Sequence, residues 1–330
     1  MPIRSDTVDS SEVRAEDLEQ YRRELTGYCY RMLGSFFEAE DAVQETMVRA
    51  WRGIDGFEGR SALRSWLYRI ATNVCLDMLR GRERRARPMD LGPSSTAEGF
   101  LGVTLPEHAW VQPIPDGRVL AGDGDPAELA VSRETIRLAF VTALQHLPAR
   151  QRAVLILREV LRWQAAEVAE LLETSVASVN SALQRARATL AAREVSDVEA
   201  AHSPAVDADQ RALLARYVDA FERYDITLLV SLLHDDAVMS MPPYDFWLRG
   251  PVEMGRWFLG QGCGCRGSRL VATAANGCAA FGSYRPDPDG GYQPFALQVI
   301  EISGDRIVGH HNFLDTNLFA AFGLPARLPA

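Results

Sequence analysis

The segment Gln164-Ala-Ala-Glu-Val-Ala-Glu-Leu-Leu172, Glu173-Thr-Ser175, Val176-Ala-Ser-Val-Asn-Ser-Ala-Leu-Gln-Arg-Ala-Arg-Ala-Thr-Leu190 decides the fold around it. Two stretches of helical periodicity flank three polar residues, so the pattern reads helix, turn, helix. Ala169 falls where the two helices must touch, and the second helix is expected to bury Val176, Val179, Leu183, Ala186 and Leu190. Ser175 is placed to cap that helix through its hydroxyl. Glu173 holds the turn position that usually takes glycine; a non-glycine residue at positive φ costs about 1 kcal/mol there. The opposite face carries Ser178, Asn180, Ser181, Gln184, Arg185 and Arg187. Amide side chains match adenine edges, and guanidinium groups match guanine or phosphate. Helix, turn and polar face agree on DNA binding.

Working outward, Ile136–Leu147 and Gln151–Val160 are two further apolar-faced helices, and residues 127–193 form one helical unit. Before it, residues 88–126 are rich in Pro and Gly without sustained periodicity and read as a linker. Its length and the stretch Trp110-Val-Gln-Pro-Ile-Pro115 exceed a plain tether, so part of it is expected to pack on a domain. Residues 12–87 make another helical unit, and 205–330 a third, after a short joint near Ser203-Pro204.

The chain has 330 residues and a formal net charge of −9, with every basic residue an Arg. An evenly spread charge of that sign argues against nucleic acid. It is not evenly spread. Residues 1–59 hold 7 Arg and 13 acids, residues 60–87 hold 8 Arg and 2 acids, and residues 88–126 hold 1 Arg and 6 acids. A short basic block therefore sits between two acidic ones, and a clustered basic stripe is the footprint of a nucleic-acid site.

The flanking patterns support this. In Glu38–Ile54, apolar residues at Val43, Met47, Ala50, Trp51 and Ile54 share one helix face, while Asp41, Gln44, Glu45 and Val48 lie on the other. Phe57-Glu-Gly-Arg60-Ser61 is a loop, with Ser61 as a cap for the next helix. That helix places Leu63, Trp66, Leu67, Ile70, Val74 and Met78 inward, and Arg64, Ser65, Tyr68, Arg69, Thr72 and Asn73 outward. It runs into Arg80, Arg82, Arg84, Arg85 and Arg87. Arginines with exposed aromatics suit single-stranded nucleic acid.

Two long motifs now carry a resemblance. Glu38-Ala-Glu-Asp-Ala-Val-Gln-Glu-Thr-Met-Val-Arg-Ala-Trp51, Phe57-Glu-Gly-Arg-Ser61 and Trp66-Leu-Tyr-Arg-Ile-Ala-Thr-Asn73 resemble region 2 of extracytoplasmic-function (ECF) sigma factors of the sigma-70 family. Leu147-Pro-Ala-Arg-Gln-Arg-Ala-Val-Leu155 with Val168–Arg187 resembles region 4. The resemblance implies that Asp41, Gln44, Glu45 and Val48 dock on the β′ clamp helices of core RNA polymerase, with the β subunit a further partner. It implies that Phe57, Arg60, Ser61, Arg69 and Asn73 hold the −10 element, with Arg80, Arg82, Arg84 and Arg85 on its phosphates. Ser178, Asn180, Ser181, Gln184, Arg185 and Arg187 would read the −35 element. The acidic linker would thread toward the polymerase cleft.

The third unit opens with an amphipathic helix at residues 208–224 and a helical pattern over Leu228–Leu233. A short strand, a helix at Pro251–Gly260 and strands at Arg269–Tyr284, Tyr292–Ile302 and Arg306–Leu314 follow. This is an α+β unit: helices on a curved antiparallel sheet. Met241-Pro-Pro243, Trp247-Leu-Arg-Gly250 and His311-Asn-Phe-Leu-Asp315 resemble a SnoaL-like domain. His311, Phe313 and Asp315 share one face of the last strand and mark a pocket or interface.

The whole reads as a multidomain alternative sigma factor, all-α regions 2 and 4 followed by a SnoaL-like control domain, and not as an enzyme. The other readings are a polymerase-independent helix-turn-helix regulator with a ligand-sensing domain, and a small-molecule enzyme fused to a DNA-binding module. No cofactor is expected, and three scattered thiols (Cys263, Cys265, Cys278) are weak grounds for a metal. No apolar run approaches the ~20 residues of a membrane span, and the polar N-terminus does not read as a secretory signal, so a cytoplasmic location without membrane contact is expected.

Overall fold

The computed structural model describes residues 15–57, 62–99, 101–121, 125–192 and 208–330. They form two compact units: one of residues up to 84 with 112–124 and 131–196, the other of 85–111, 125–130 and 197–330.

The first unit is all helix. It comprises α1 (Ala15–Glu19), α2 (Arg22–Leu33), α3 (Phe36–Gly53), α4 (Leu63–Met78) and the short α5 (Asp116–Val119). After α6 (Pro126–Glu134) come α7 (Leu138–Gln145), α8 (Ala149–Leu155), α9 (Ala165–Leu171) and α10 (Val176–Ala191). Ser35 caps α3, its Oγ accepting from Glu38 N. The expected cap Ser61 lies outside the described residues, with Arg60, and the N-cap position of α4 is Ala62.

Helix α4 is buried on more than its apolar stripe. Tyr68 and Thr72, expected outward, are buried. Thr72 Oγ1 lies 2.7 Å from Tyr28 Oη, and the Tyr68 ring packs between Tyr28 (5.1 Å) and Trp163 (5.0 Å). The reason is that the two helical units of the sequence are one body. Arg31, on α2, donates to Thr135 O at 3.1 Å and Thr135 Oγ1 at 2.8 Å. Arg152, on α8, donates to Gln145 Oε1 at 2.6 Å and to the Met32 carbonyl. Burial pushes both guanidinium groups down to about 10, so both keep their charge at neutral pH and need these carbonyls.

The second unit holds α11 (Ala208–Arg223), α12 (Ile226–Ser231), β1 (Leu233–Ser240), β2 (Trp247–Arg249), α13 (Pro251–Leu259), β3 (Arg269–Ala275), β4 (Cys278–Pro286), β5 (Tyr292–Ser303), β6 (Arg306–Phe313) and α14 (Leu318–Ala321). The six strands form one sheet in the order β2-β1-β6-β5-β4-β3. The α+β expectation holds, with two corrections. The stretch expected as one strand over Arg269–Tyr284 is a hairpin, β3 and β4, turning at Asn276-Gly277, both at positive φ (55° and 72°). The sheet is also not wholly antiparallel: β1 pairs with β6 in parallel.

Both faces of this sheet are covered. On one, α11, α12 and α13 bury Tyr217, Phe221, Trp257 and Phe258 with Phe281 and Ile300. On the other, Phe319 stacks edge-on against Tyr284 at 5.1 Å, and Tyr284 Oη donates to Pro325 O.

Residues expected as a linker are docked. Ser95 N donates to Trp247 O (2.7 Å), Ala97 N to Glu253 Oε2 (2.8 Å) and Leu105 N to Pro243 O (2.9 Å). Ala97 is part of this unit's buried core. Residues 112–121 belong instead to the helical unit, where Gln112 N donates to Gly34 O.

Candidate functional site

Three surfaces carry the expected functional residues. The first is α3. Its buried face is Phe36, Ala39, Ala42, Val43, Thr46, Met47 and Ala50. Asp41, Gln44 and Glu45 are exposed and Val48 half-buried, one stripe at helical spacing. Trp51, expected in the core, is 66% exposed and extends this stripe by one turn. Periodicity alone places this large aromatic with the apolar face, whereas the structure leaves it open beside the acids.

The second surface is α4 and the basic segment after it. Arg69 and Asn73 are exposed one turn apart. Arg80 pairs with Asp77 at 3.0 Å, Arg82 with Glu38, and Arg84 lies against the His146 imidazole at 2.9 Å. The Arg80–Asp77 pair joins two exposed side chains and is of the kind worth about 0–1 kcal/mol, whereas Glu38, the partner of Arg82, is half-buried. Two expected nucleic-acid residues are not on the surface. Phe57 is buried, its ring 5.1 Å from that of Trp66. Arg85 is buried and donates to Glu107 O (2.9 Å) and Trp110 O (2.7 Å), so it closes a loop of its own chain.

The third surface is the helix-turn-helix. A capping box starts α9, with Gln164 N donating to Glu167 Oε2. Glu173 sits in the turn at φ 51°, as its position demands, and Ser175 Oγ accepts from Ser178 N. Helix α10 buries Val179, Leu183 and Ala186, but Val176 is 43% exposed and Leu190 half-buried, because the helix outruns its support at both ends. Ser178, Asn180, Ser181, Gln184, Arg185 and Arg187 are all exposed. Arg187 also pairs with Glu159.

The polar cluster of the second unit differs from expectation. Asp315 lies beyond β6, where its Oδ1 accepts from Asn317 N, and it is no partner of His311. His311 Nδ1 is 2.8 Å from Ser240 Oγ, and its Nε2 is 3.5 Å from Glu301 Oε2. Phe313 is buried. The residue that faces the helices is His310. Its Nε2 lies 2.9 Å from Tyr217 Oη, which donates to Gln298 Oε1 at 2.7 Å. That bond leaves Tyr217 Oη to accept from Nε2–H, which assigns a proton to Nε2 of His310. Burial, and next the neighbouring His311, push His310 down to about 3. Among the described residues no group of three or more His, Cys, Asp or Glu is arranged to hold a metal. No helix among them is long and apolar enough to cross a membrane.

Comparison with known proteins bears directly on these surfaces. The family model of sigma-70 region 2 matches residues 18–85, and that of sigma-70 region 4 matches residues 137–190. The ECF RNA polymerase sigma factor SigG of Mycobacterium tuberculosis (strain H37Rv) is 46% identical over 314 residues, 94% of this chain and 83% of that protein. The chain belongs to the ECF RNA polymerase sigma factors. SigW of Bacillus subtilis, another ECF sigma factor, is 32% identical but aligns with only 53% of this chain. The crystal structure of Mycobacterium tuberculosis SigJ, an ECF sigma factor, shares the fold at a TM-score of 0.58 and 24% identity, over 94% of this chain and all of that one. The similarity to SigG and the shared fold with SigJ therefore extend beyond the two sigma regions. As an ECF sigma factor the protein is an alternative sigma factor that works with RNA polymerase on promoter DNA, and the polymerase-independent regulator is set aside.

Proposed function

We propose that this ECF sigma factor divides its work among the three surfaces and modulates it through its C-terminal unit, acting in the cytoplasm with RNA polymerase. Asp41, Gln44, Glu45 and Val48, joined by Trp51, dock on the β′ clamp helices. Arg69, Asn73, Arg80, Arg82 and Arg84 hold the −10 strand, with Arg60 and Ser61 of the adjoining loop. Phe57 and Arg85 join them only after leaving the buried positions they hold here. Region 4 binds the β subunit and reads the −35 element through Ser178, Asn180, Ser181, Gln184, Arg185 and Arg187. The C-terminal unit holds residues of the linker and contacts the sigma regions, so it shifts the protein between closed and open arrangements.

One observation carries this reading: the polar stripes of α3 and α10 are exposed while the apolar faces of the same helices are buried. In vitro transcription with core polymerase tests it. Asp41→Arg should abolish both β′ pull-down and transcription, and retention of either overturns the docking surface. Deleting residues 205–330 should change promoter-specific transcription severalfold, and unchanged output overturns the modulatory role.

A further inference from the structure

The turn that follows α13 carries two cysteines that none of the sigma surfaces uses. Residues Gln261–Cys265 form a 3-10 turn, with Cys263 exposed and Cys265 buried. Arg285 Nη2 donates to Cys265 Sγ at 3.4 Å, which puts a cation beside the sulfur. The same turn holds the docked linker: Gln261 Nε2 donates to Ala97 O (3.0 Å) and Gly99 O (2.9 Å). The turn has no slack, since a Cβ on Gly262 would lie 2.7 Å from Trp257 Nε1.

We propose that Cys263 and Cys265 are a thiol modification site, oxidised to an intramolecular disulfide by low-molecular-weight disulfides, and that this oxidation frees the linker segment from Gln261. Helical geometry sets the two Cα atoms ~5 Å apart, within the span of about 4.4–6.8 Å that a disulfide bridges. It also points the two side chains about 120° apart around the turn axis, as their unequal exposure reflects. The sulfurs therefore meet only if the turn unwinds, and Gln261 lies in that turn.

The exposed Cys263 reacts first. It gives its proton to solvent, and its thiolate attacks one sulfur of the disulfide RSSR. A Cys263–SR bond forms and RS⁻ leaves, taking up a proton. The Cys265 sulfur then loses its proton, with Arg285 beside it, and attacks the Cys263 sulfur. The Cys263–Cys265 bond forms and the second RS⁻ departs as RSH. The two cysteines lose two electrons and two protons, and RSSR becomes two RSH. The proposal does not depend on how the sigma surfaces engage polymerase.

The test uses the full chain treated with oxidised glutathione or with dithiothreitol. Peptide mapping should find a 263–265 disulfide only after oxidation. Hydrogen exchange of peptides covering Ser95 and Ala97, whose amides donate to Trp247 O and Glu253 Oε2, should rise at least about tenfold on oxidation. Cys263→Ser, an exposed change that leaves the fold intact, should remove both effects, and Cys265→Ala should do the same. A disulfide between other cysteines overturns the proposal, as does a 263–265 disulfide with unchanged exchange. An exchange rise that persists in Cys263→Ser also overturns it.

Discussion

His310→Gln tests the interior of the C-terminal unit quantitatively. In the folded chain His310 is buried and neutral, held at about 3 against an ordinary value of 6.5. A depressed value means that its stabilising contribution is intact above the unfolded value and is lost as pH falls from 6.5 toward 3. The unfolded histidine is mostly neutral at pH 7 and about 97% protonated at pH 5. Linkage then gives a loss of ~2 kcal/mol between these two pH values, and the result is the same for any folded value below about 4.5. Gln is chosen because its amide keeps a donor near Tyr217 Oη while removing the titration. The assay is hydrogen exchange in peptides spanning β5 and β6, corrected for intrinsic rates, at pH 7 and pH 5. Wild type should lose about 25-fold more protection than His310→Gln over this interval. Equal loss in the two proteins would show that His310 is already protonated at pH 7 or that water reaches it, and the neutral, Nε2-protonated assignment would fall.

Three further changes probe the other elements. Glu173→Gly relieves the positive φ of the turn and should stabilise the helical unit by up to ~1 kcal/mol, less the entropy that glycine loses on folding, read as a rise in Tm. Gly277→Ala places a side chain at φ 72° in the β3–β4 hairpin and should destabilise the second unit by about 1–2 kcal/mol in urea titration. Arg185→Ala should weaken holoenzyme binding to a promoter; if Arg185 contacts phosphate, the slope of log affinity against log salt falls by about 1, and if it reads a base, discrimination falls with the slope unchanged.

The helices were legible where one face meets a core and the other meets solvent. That holds for α3, α9 and α10, whose polar stripes lie where periodicity puts them. It failed for α4, because Tyr68 and Thr72 have neighbours on α2 and at Trp163, and a second buried face erases the contrast on which periodicity depends. Trp51 shows the opposite: periodicity assigns an apolar residue to the core although its face is open. The hairpin at Asn276-Gly277 was legible in principle, since Asn-Gly is the strongest two-residue turn signal. The continuous apolar and small residues around it masked it.

Strand parity explains the misplaced polar site. Alternation correctly separates His310 from His311, but it says which residue faces the helices only when one face of the sheet is wet. Here α14 and Pro325 cover Tyr284 on the second face, and His311 on that face is as buried as His310, so burial cannot choose between them. Alternation also ends with the strand: Phe313 is the last residue of β6, and Asp315 turns away to bond Asn317. The acid that reaches His311 comes from β5, as Glu301, a pairing set by inter-strand register and not by spacing along one strand. The basic block shows the same limit for charge. Its count of Arg does not distinguish Arg69, exposed on α4, from Arg85, which spends its charge on the carbonyls of Glu107 and Trp110. Net charge thus marks the basic segment, while hydrogen-bond geometry decides which of its arginines stay on the surface and which are spent inside the chain.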